Sequence, residues 1–357
     1  AIEYCYDLIK LGLMENVVIY GGNDNDEEYV NIAPSAKEVS IPKEYPCDRL
    51  IARRDLINDI PVWVFFDTVS GFKTRVIMSQ KDVEYNKSTY PELVDISITD
   101  YCESNCAYCY RGSTTDGKHS EWSHLTTIIY YLHKMGVFEI AIGGGEPTSH
   151  PKFVDLLLLC KKYNIVANFT TRNLDWIKNL SWTTFINAFG AFAYSIESAK
   201  QIFQLHETLT SVDFPTNKCN IQLVMGVVTK QQFIEIVEAC AATNMTLVLL
   251  GYKTTHRGSN YDHKKYDWLI DVINDVRSKK YVKIGIDTVL AQQFETELKK
   301  ANISRLLYSK EEGKFSCFID AVKMIISPSS FDQTEMSILN KYNYCCEQQI
   351  KDAYKNF

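Results

Sequence analysis

The feature of this sequence that most constrains its fold is a regular alternation of strand and helix patterns. From about Val94 onward, short β-rich segments alternate with amphipathic helical stretches. This alternation is typical of repeated βα units, which build a parallel sheet. Six strands are predicted, at Val94–Thr99, Phe138–Ile142, Ile165–Thr170, Ala191–Ile196, Asn220–Val227 and Met245–Tyr252.

These strands carry two different faces. Residues of one parity are apolar, such as Ile96 and Ile98, whereas residues of the other parity are small or polar, such as Asp95 and Ser97. Since side chains alternate across a strand, one face packs against helices and the other lines a polar cavity. A closed eight-strand barrel would fill its interior with Val, Ile and Leu. The sequence therefore predicts an α/β fold, a partial (β/α)6 TIM-like barrel with an N-terminal extension and a C-terminal cap.

Three regions are expected along the chain. Residues 1–90 are predicted to form an α+β extension, residues 91–281 the barrel core, and residues 282–357 a cap with a hairpin and a helix. The core helices are predicted at Glu121–Met135, Lys152–Tyr163, Leu174–Phe189, Ala199–Val212, Lys230–Thr243 and Lys264–Lys279. In the extension we expect a helix at Glu3–Met14 and hairpin strands at Pro61–Asp67 and Lys73–Ser79. In the cap we expect a strand at Lys283–Val289, a helix at Gln292–Leu307, a hairpin at Lys314–Ser327 and a mostly helical Ser337–Phe357.

Composition narrows the classes of function. Hydrophobic residues make up 46% of the chain and charged residues 23%, which is ordinary for a soluble protein, and no apolar run could cross a bilayer. Ala1–Lys10 does not read as a secretory signal, so we expect a cytoplasmic protein without a membrane partner. The net charge of −6 disfavours nucleic acid as a partner. Eleven cysteines in such a chain indicate metal ligation rather than disulfides.

Three of these cysteines follow directly on the first barrel strand. Cys102, Cys106 and Cys109 lie in a loop at the carboxyl end of the sheet, where barrel folds carry their catalytic groups. Three thiolates can hold a cubane cluster and leave its fourth iron open. A structural zinc site would need a fourth ligand, for which His119 and His124 are candidates. Three unrelated buried cysteines are the remaining alternative.

The spacing C-x-x-x-C-x-aromatic-C, with Tyr108 as the aromatic residue, resembles the signature of the radical S-adenosylmethionine (SAM) superfamily. The run Gly143-Gly144-Gly145-Glu146-Pro147, just after the second strand, resembles the GGE motif of the same family. The resemblance implies a [4Fe–4S] cluster on the three cysteines and SAM as cosubstrate. It also implies that SAM is split reductively, and that the resulting 5′-deoxyadenosyl radical abstracts a hydrogen atom from a substrate.

The same resemblance implies where SAM is contacted. Glycines of the GGE turn let the backbone approach the SAM amino group. Ser195 and Glu197 match a position that contacts the ribose of SAM. Lys253 lies where members of the family place backbone atoms beside the adenine of SAM. Each polar residue has a simpler alternative, in which it only marks the end of a strand. The expected cofactor-binding residues are Tyr108, Gly144, Gly145, Glu146, Thr170, Arg172, Ser195, Glu197 and Lys253.

The C-terminal region resembles a reduced form of the SPASM or twitch extensions of peptide-modifying radical SAM enzymes. The resemblance lies in Glu312–Asp320, which runs on to Pro328-Ser329-Ser330. Those extensions hold auxiliary clusters on several cysteines, whereas this tail has only Cys317, Cys345 and Cys346. We therefore expect a cap without a second cluster. Cys317 is also a candidate hydrogen-atom donor, and its alternative is a small buried residue of the hairpin.

The function expected from these features is hydrogen abstraction from a peptide or protein substrate, as in crosslinking or epimerisation of a ribosomal peptide. Modification of a nucleoside, nucleotide or RNA is the alternative enzyme, suggested by the basic loop that contains Lys253, His256 and Arg257. A regulatory protein that binds iron or zinc without turnover is a third interpretation. The resemblance also implies flavodoxin or ferredoxin as the electron donor.

Overall fold

The computed structural model describes residues 50–57, 60–77, 86–179, 187–279, 282–303, 308–331, 336–339 and 347–357. Within these ranges the strands form two sheets, one of three strands and one of ten. The helix predicted at Glu3–Met14 lies outside the described residues. None of the described helices combines the length and the apolar character needed to cross a bilayer.

The smaller sheet is antiparallel and belongs to the predicted extension. It consists of β1 (Leu50–Ile57), β2 (Ile60–Asp67) and β3 (Lys73–Ile77), with β2 in the centre. The turn between β2 and β3 is closed by a hydrogen bond from the Gly71 amide to the Asp67 carbonyl oxygen, 2.8 Å long. Gly71 has a φ of 71°, a conformation that glycine adopts without steric cost. The predicted hairpin around Ser70-Gly71 is confirmed.

The larger sheet contains the six predicted barrel strands in chain order, each parallel to the next. They are β4 (Leu93–Thr99), β5 (Glu139–Gly144), β6 (Val166–Thr171), β7 (Phe192–Ser195), β8 (Cys219–Val224) and β9 (Thr246–Leu250). The order of the ten strands runs from β10 at one end to β13 at the other and does not close on itself. The described strands therefore form a partial, TIM-like arrangement rather than a closed barrel.

Helices connect these strands and cover one face of the sheet. They are α1 (Trp122–Lys134), α2 (Phe153–Lys162), α3 (Leu174–Asn179), α4 (Ala199–Ser211), α5 (Lys230–Thr243) and α6 (Leu269–Lys279). Buried and partly open residues alternate along β6, β7 and β8, as the two-faced pattern predicts. Residues such as Ile140 and Ile221 pack against the helices, whereas Ala141 and Gln222 face the polar interior.

Strands from the C-terminal tail pair with both outer strands of this six-strand set. On one side, β10 (Ile284–Ile286) is parallel to β9. On the other side, β11 (Ser316–Asp320) is parallel to β4 and continues into β12 (Ile325–Ser327) and β13 (Ser337–Ile338). The tail also contains α7 (Thr288–Gln293), α8 (Glu295–Lys300) and α9 (Glu347–Lys355). Since unpaired strand edges invite association, this pairing protects the sheet.

Several predicted boundaries were wrong. Of the helix predicted over Leu174–Phe189, the described part is Leu174–Asn179, and residues 187–189, which precede β7, are not helical. The strand predicted over Lys283–Val289 ends at Ile286, because the Asp287 side chain accepts a hydrogen bond of 2.8 Å from the Leu290 amide and so begins α7. The single helix predicted over Gln292–Leu307 is divided between α7 and α8. Among the described residues of the last stretch, 337–338 form a strand and α9 is helical.

The smaller sheet is attached at the amino ends of β4 and β5. Arg53 is fully buried, forms a two-point ion pair with Asp55, and donates to the backbone carbonyl oxygens of Tyr90, Pro91 and Gly136. Every carbonyl in this set lies before β4 or β5. A buried guanidinium is tolerated only when its donors are satisfied, so this side chain fixes the sheet to the barrel.

Candidate functional site

The three-cysteine loop leaves the carboxyl end of β4. Cys102, Cys106 and Cys109 are partly exposed, whereas the other cysteines of the described ranges are buried: Cys160, Cys219, Cys240 and Cys317. The Cys102 amide donates to the Thr114 carbonyl oxygen at 2.9 Å, and the Cys109 amide donates to the Cys106 carbonyl oxygen at 3.2 Å. The backbone therefore folds the loop back on itself and leaves the thiols accessible.

The basic loop after β9 holds this cysteine loop in place. Arg257 donates from Nε to the Cys106 carbonyl oxygen and from Nη2 to the Ser113 carbonyl oxygen, both at 2.9 Å. Thr255 Oγ1 donates to the Tyr110 carbonyl oxygen, also at 2.9 Å. The Arg257 side chain is thus engaged by backbone of the cysteine loop. The sequence indicated only a basic loop here and did not predict this structural role of Arg257.

A second arginine reaches a cysteine sulfur. Arg172, just beyond β6, donates from Nη1 to Cys106 Sγ at 2.6 Å and from Nη2 to Glu197 Oε1 at 2.6 Å. Tyr108 donates its hydroxyl to the same Glu197 oxygen at 2.6 Å and lies 3.4 Å from Arg172 Nη1. The structure thus brings four of the sequence-predicted residues into one group, which draws on the ends of β4, β6 and β7.

The charges in this group support one another. Although partial burial raises the pKa of Glu197, hydrogen bonds from Tyr108 and Arg172 outweigh it and keep this pKa below its usual range. Burial raises the pKa of Tyr108, so its hydroxyl stays protonated and can donate. Partial burial also raises the pKa of the Cys102 thiol. A strong positive charge such as a bound metal cluster would oppose this effect and favour the thiolate.

The glycine turn after β5 packs tightly against the start of the cysteine loop. Gly144 has a φ of 117°, and a side chain there would lie 2.3 Å from the Thr99 carbonyl oxygen. A side chain at Gly145 would lie 2.1 Å from the Tyr101 carbonyl oxygen, so neither position can hold one. Around Gly143, by contrast, a side chain would meet open space. The turn therefore needs two glycines for packing and leaves room at the third, next to the polar interior.

Residues 96–251 match the family model of the Radical SAM superfamily. The chain carries a radical SAM domain. The match covers β4 to β9 and includes the cysteine loop, the glycine turn, Arg172 and Glu197. The resemblance deduced from the cysteine and glycine motifs is therefore confirmed.

The curated proteins similar to this chain are described as GTP 3',8-cyclases. A protein of Thermoplasma volcanium described as "Probable GTP 3',8-cyclase" is 24% identical over 207 residues, which cover 53% of this chain and 63% of that protein. A Pyrococcus abyssi protein with the same description is 29% identical over 77 residues, 21% of this chain and 25% of that protein. The chain thus spans less than two thirds of the length of the curated relatives it matches.

Among solved structures, Streptococcus suis SuiB bound to precursor peptide SuiA shares the fold, with a TM-score of 0.56 and 15% sequence identity. That alignment covers 85% of this chain and 90% of the SuiB chain. SuiB without the peptide gives a TM-score of 0.50 at 14% identity. At these identities the likeness concerns the fold alone. Because 85% of the chain is more than residues 96–251, the likeness extends beyond the radical SAM domain.

Radical SAM proteins use SAM and a [4Fe–4S] cluster, and the donor set of this domain fits such a cluster. Within the described ranges no three Cys, His, Asp or Glu side chains converge on a point where a single ion could bind. Each thiolate of the triplet can bind a different iron of a cubane, whereas a structural zinc site needs a fourth ligand. His119 is engaged by Thr99 Oγ1 at 2.8 Å. We therefore keep Cys102, Cys106 and Cys109 as the proposed cluster ligands.

Glu146 does not present a free carboxylate to a ligand. Its Oε1 accepts hydrogen bonds from the Thr148 amide, from Thr148 Oγ1 and from Thr171 Oγ1, at 3.2, 2.7 and 2.6 Å. Its Oε2 accepts from the Arg172 amide at 2.9 Å. The side chain is 7% exposed. Glu146 thus ties the end of β5 to the end of β6, and any contact to the SAM amino group falls to neighbouring backbone carbonyls.

Three further predicted residues lie apart from the Arg172 group. Lys253 Nζ is 4.5 Å from the centre of the Tyr110 ring and 4.9 Å from that of Phe331. These rings line a cavity of about 280 Å³ beside the cysteine loop. Thr170 and Ser195 are partly open on the interior face of β6 and β7. Lys253, Thr170 and Ser195 remain proposals as SAM contacts.

Cys317 is not brought to the site. It is 1% exposed and belongs to the hydrophobic core, and its register partner is Val94, on the helix-facing side of β4. The interior-facing partner in this register is Phe318, which lies beside Asp95. A hydrogen-atom donor must reach the substrate, so the geometry contradicts the tentative donor role. Cys345 and Cys346 lie outside the described residues.

Proposed function

We propose that this chain is a radical SAM enzyme that abstracts a hydrogen atom from a peptide or protein substrate. When bound, the cluster and SAM would supply the radical chemistry. The chain's own residues would hold and shield them: the three cysteines as ligands, Glu197 as an acceptor for ribose hydroxyls, and Gly143 as the open position beside the cosubstrate. The Arg172 group, in which this guanidinium joins Cys106 to Glu197 beside the Tyr108 hydroxyl, carries this proposal.

The peptide substrate is supported by the extent of the structural likeness. The SuiB structure, which holds a precursor peptide, aligns over 85% of this chain, including regions outside residues 96–251. Strands of the tail pair with both outer strands of the six-strand set, and the tail residues Ser330 and Phe331 line the cavity beside the cysteine loop. Flavodoxin or ferredoxin is proposed as the electron donor, on the family resemblance.

Nucleotide modification is the second candidate, because curated relatives are described as GTP 3',8-cyclases. The sequence feature that suggests it is the basic loop after β9. In the structure Arg257 of that loop is engaged by backbone of the cysteine loop, and Lys253 lies between two aromatic rings. This arrangement weakens the case for the loop as a phosphate clamp and favours the peptide.

An anaerobic turnover assay separates the two candidates. The reconstituted full chain, with SAM and a reductant, is supplied in turn with GTP and with short peptides encoded beside its gene. We expect 5′-deoxyadenosine to form and one peptide to lose hydrogen in the mass spectrum, while GTP stays unchanged. Conversion of GTP to a cyclised product would replace the peptide proposal with the nucleotide one. Absence of 5′-deoxyadenosine under all conditions would contradict radical SAM activity itself.

A further inference from the structure

We infer that Arg172 and Glu197 form a charge pair that sets the reduction potential of the cluster, with the two residues acting in opposite directions. The inference rests on the proposed function, because it requires a cluster on Cys106. It assigns to Arg172 a role as a positioning and tuning residue that acts through the sulfur, rather than as a contact to the cosubstrate.

The geometry of the guanidinium is the first support. Arg172 Nη1 lies 2.6 Å from Cys106 Sγ, and Nη2 lies 2.6 Å from Glu197 Oε1. One planar fork therefore joins a proposed cluster ligand to a carboxylate on another strand. Lysine could not make both contacts with the same geometry, because its ammonium is a single point at the end of a flexible stem.

The position of Arg172 is fixed by its backbone. Its amide donates to Glu146 Oε2 at 2.9 Å, and the same Glu146 carboxylate is held by Thr148 and Thr171. The guanidinium is 20% exposed and Glu197 is 44% exposed. The contact of Arg172 with the Cys106 sulfur therefore rests on a backbone that Glu146 holds in place. The Glu197 carboxylate, in contrast, is exposed enough to be reached by a ligand in the cavity.

Opposite effects on the potential follow from the charges. Reduction adds an electron to the cluster and makes its sulfurs more negative, so a hydrogen bond and a positive charge at Cys106 Sγ stabilise the reduced form and raise the potential. The Glu197 carboxylate pairs with the same guanidinium, partly neutralises its positive charge and places a negative charge near the cluster. It therefore lowers the potential.

The test measures the midpoint potential of the reconstituted full chain by spectroelectrochemical titration, with electron paramagnetic resonance of the reduced state. Arg172→Gln should lower the potential and Glu197→Gln should raise it, and Arg172→Lys should fall between the native chain and Arg172→Gln. Arg75→Gln is the matched control. It removes the same charge from a pair with Glu92, which precedes β4 at the opposite end of the strand, and should leave the potential unchanged.

Shifts of the midpoint potential in opposite directions for Arg172→Gln and Glu197→Gln would establish the pair. If Arg172 had only a structural role, the direction of the shift would not depend on the charge that is removed. Equal potentials for the native chain and Arg172→Gln, or shifts of both variants in the same direction, would overturn the inference. If Arg172→Gln retains no cluster, Glu197→Gln decides alone, and an unchanged potential overturns it. Failure of the native chain to assemble any cluster would contradict the proposed function and this inference with it.

Discussion

Asp320, the last residue of β11, forms a buried ion pair with Arg111, which lies two positions beyond Cys109. Arg111 Nη2 is 2.8 Å from Asp320 Oδ2, and the two side chains are 6% and 1% exposed. The same nitrogen donates to Ser97 Oγ at 2.9 Å. Through this pair the C-terminal strand holds the chain just after the third cysteine, so the tail contributes directly to the geometry of the site.

Replacement of Asp320 by Asn should therefore loosen the cysteine loop. It leaves the buried Arg111 charge without its main partner, and we expect a loss of about 2 to 4 kcal/mol in the free energy of unfolding, measured by urea denaturation of the apo-protein. Iron retention after desalting should fall as well. Lys323, the exposed partner of Asp320, provides the control: Lys323→Met should cost less than about 1 kcal/mol. Equal stabilities for the two variants would contradict a role for the buried pair.

Single replacements of Cys102, Cys106 or Cys109 by Ala should abolish cluster assembly. A cubane with one open iron needs all three thiolates, so iron should fall from about four per chain to a small fraction of that value. Chemical iron analysis and the visible charge-transfer absorbance measure this. Cys160→Ala, on the buried face of α2, should keep its iron despite some loss of stability. A full iron complement in any triplet variant would assign the ligands elsewhere.

Removal of the tail cysteines should leave the iron content unchanged. Cys317 packs in the hydrophobic core between the sheet and the helices, and it does not face the polar interior where the site lies. The triple change of Cys317, Cys345 and Cys346 to Ala should thus keep about four irons per chain, measured against the native protein reconstituted in parallel. A drop from about eight irons to about four would reveal an auxiliary cluster and reject the proposal of a cap without one.

Glu146→Gln should destabilise the junction between β5 and β6. The amide of glutamine can replace only one of the two acceptor oxygens, so at least one of the donors from Thr148, Thr171 and the Arg172 backbone loses its partner. We expect about 1 to 3 kcal/mol less stability in denaturant titrations. Glu103→Gln, at an exposed glutamate that accepts from Tyr101, should have little effect. A stable Glu146→Gln variant would argue that Glu146 is not a structural tie.

Asp95, on the interior face of β4, should make stability depend on pH. Burial raises its pKa from 3.8 to about 6, Lys253 opposes this shift, and Glu312 adds to it. A carboxyl whose folded pKa lies above its unfolded value stabilises the fold while it is protonated. That contribution is lost as pH rises from about 4 through 6.

The Asp95→Asn variant has no carboxyl group at this position and so does not lose stability as the pH rises. Its free energy of unfolding relative to the native chain should therefore increase between about pH 4 and pH 6. The rise should be no more than about 3 kcal/mol, and smaller to the extent that Asp95 keeps some surface toward the cavity. Parallel thermal or urea unfolding of both proteins at several pH values measures the difference, in which the other titrating groups cancel. A difference that stays constant with pH would contradict the raised pKa.

Local patterns in the sequence determined most of the barrel. The two-residue alternation of apolar and polar side chains and the helical periodicity between strands depend only on neighbouring residues, so they predicted β4 to β9 and the direction of their faces. The cysteine spacing and the Gly144-Gly145 pair could be recognised because they too are patterns of neighbouring residues. The predicted boundary of a strand or helix was wrong where a single side chain determines it, as Asp287 does at the start of α7.

Only the tertiary structure decided which side chains meet. Arg172 and Cys106 are 66 positions apart, Arg257 and Cys106 are 151 apart, and Arg111 and Asp320 are 209 apart. No local pattern encodes such pairs, because they depend on the order and register of strands. Cys317 shows the same limit: its position in a strand was predicted, but the face it occupies was set by the pairing of β11 with β4, in which it lies beside Val94.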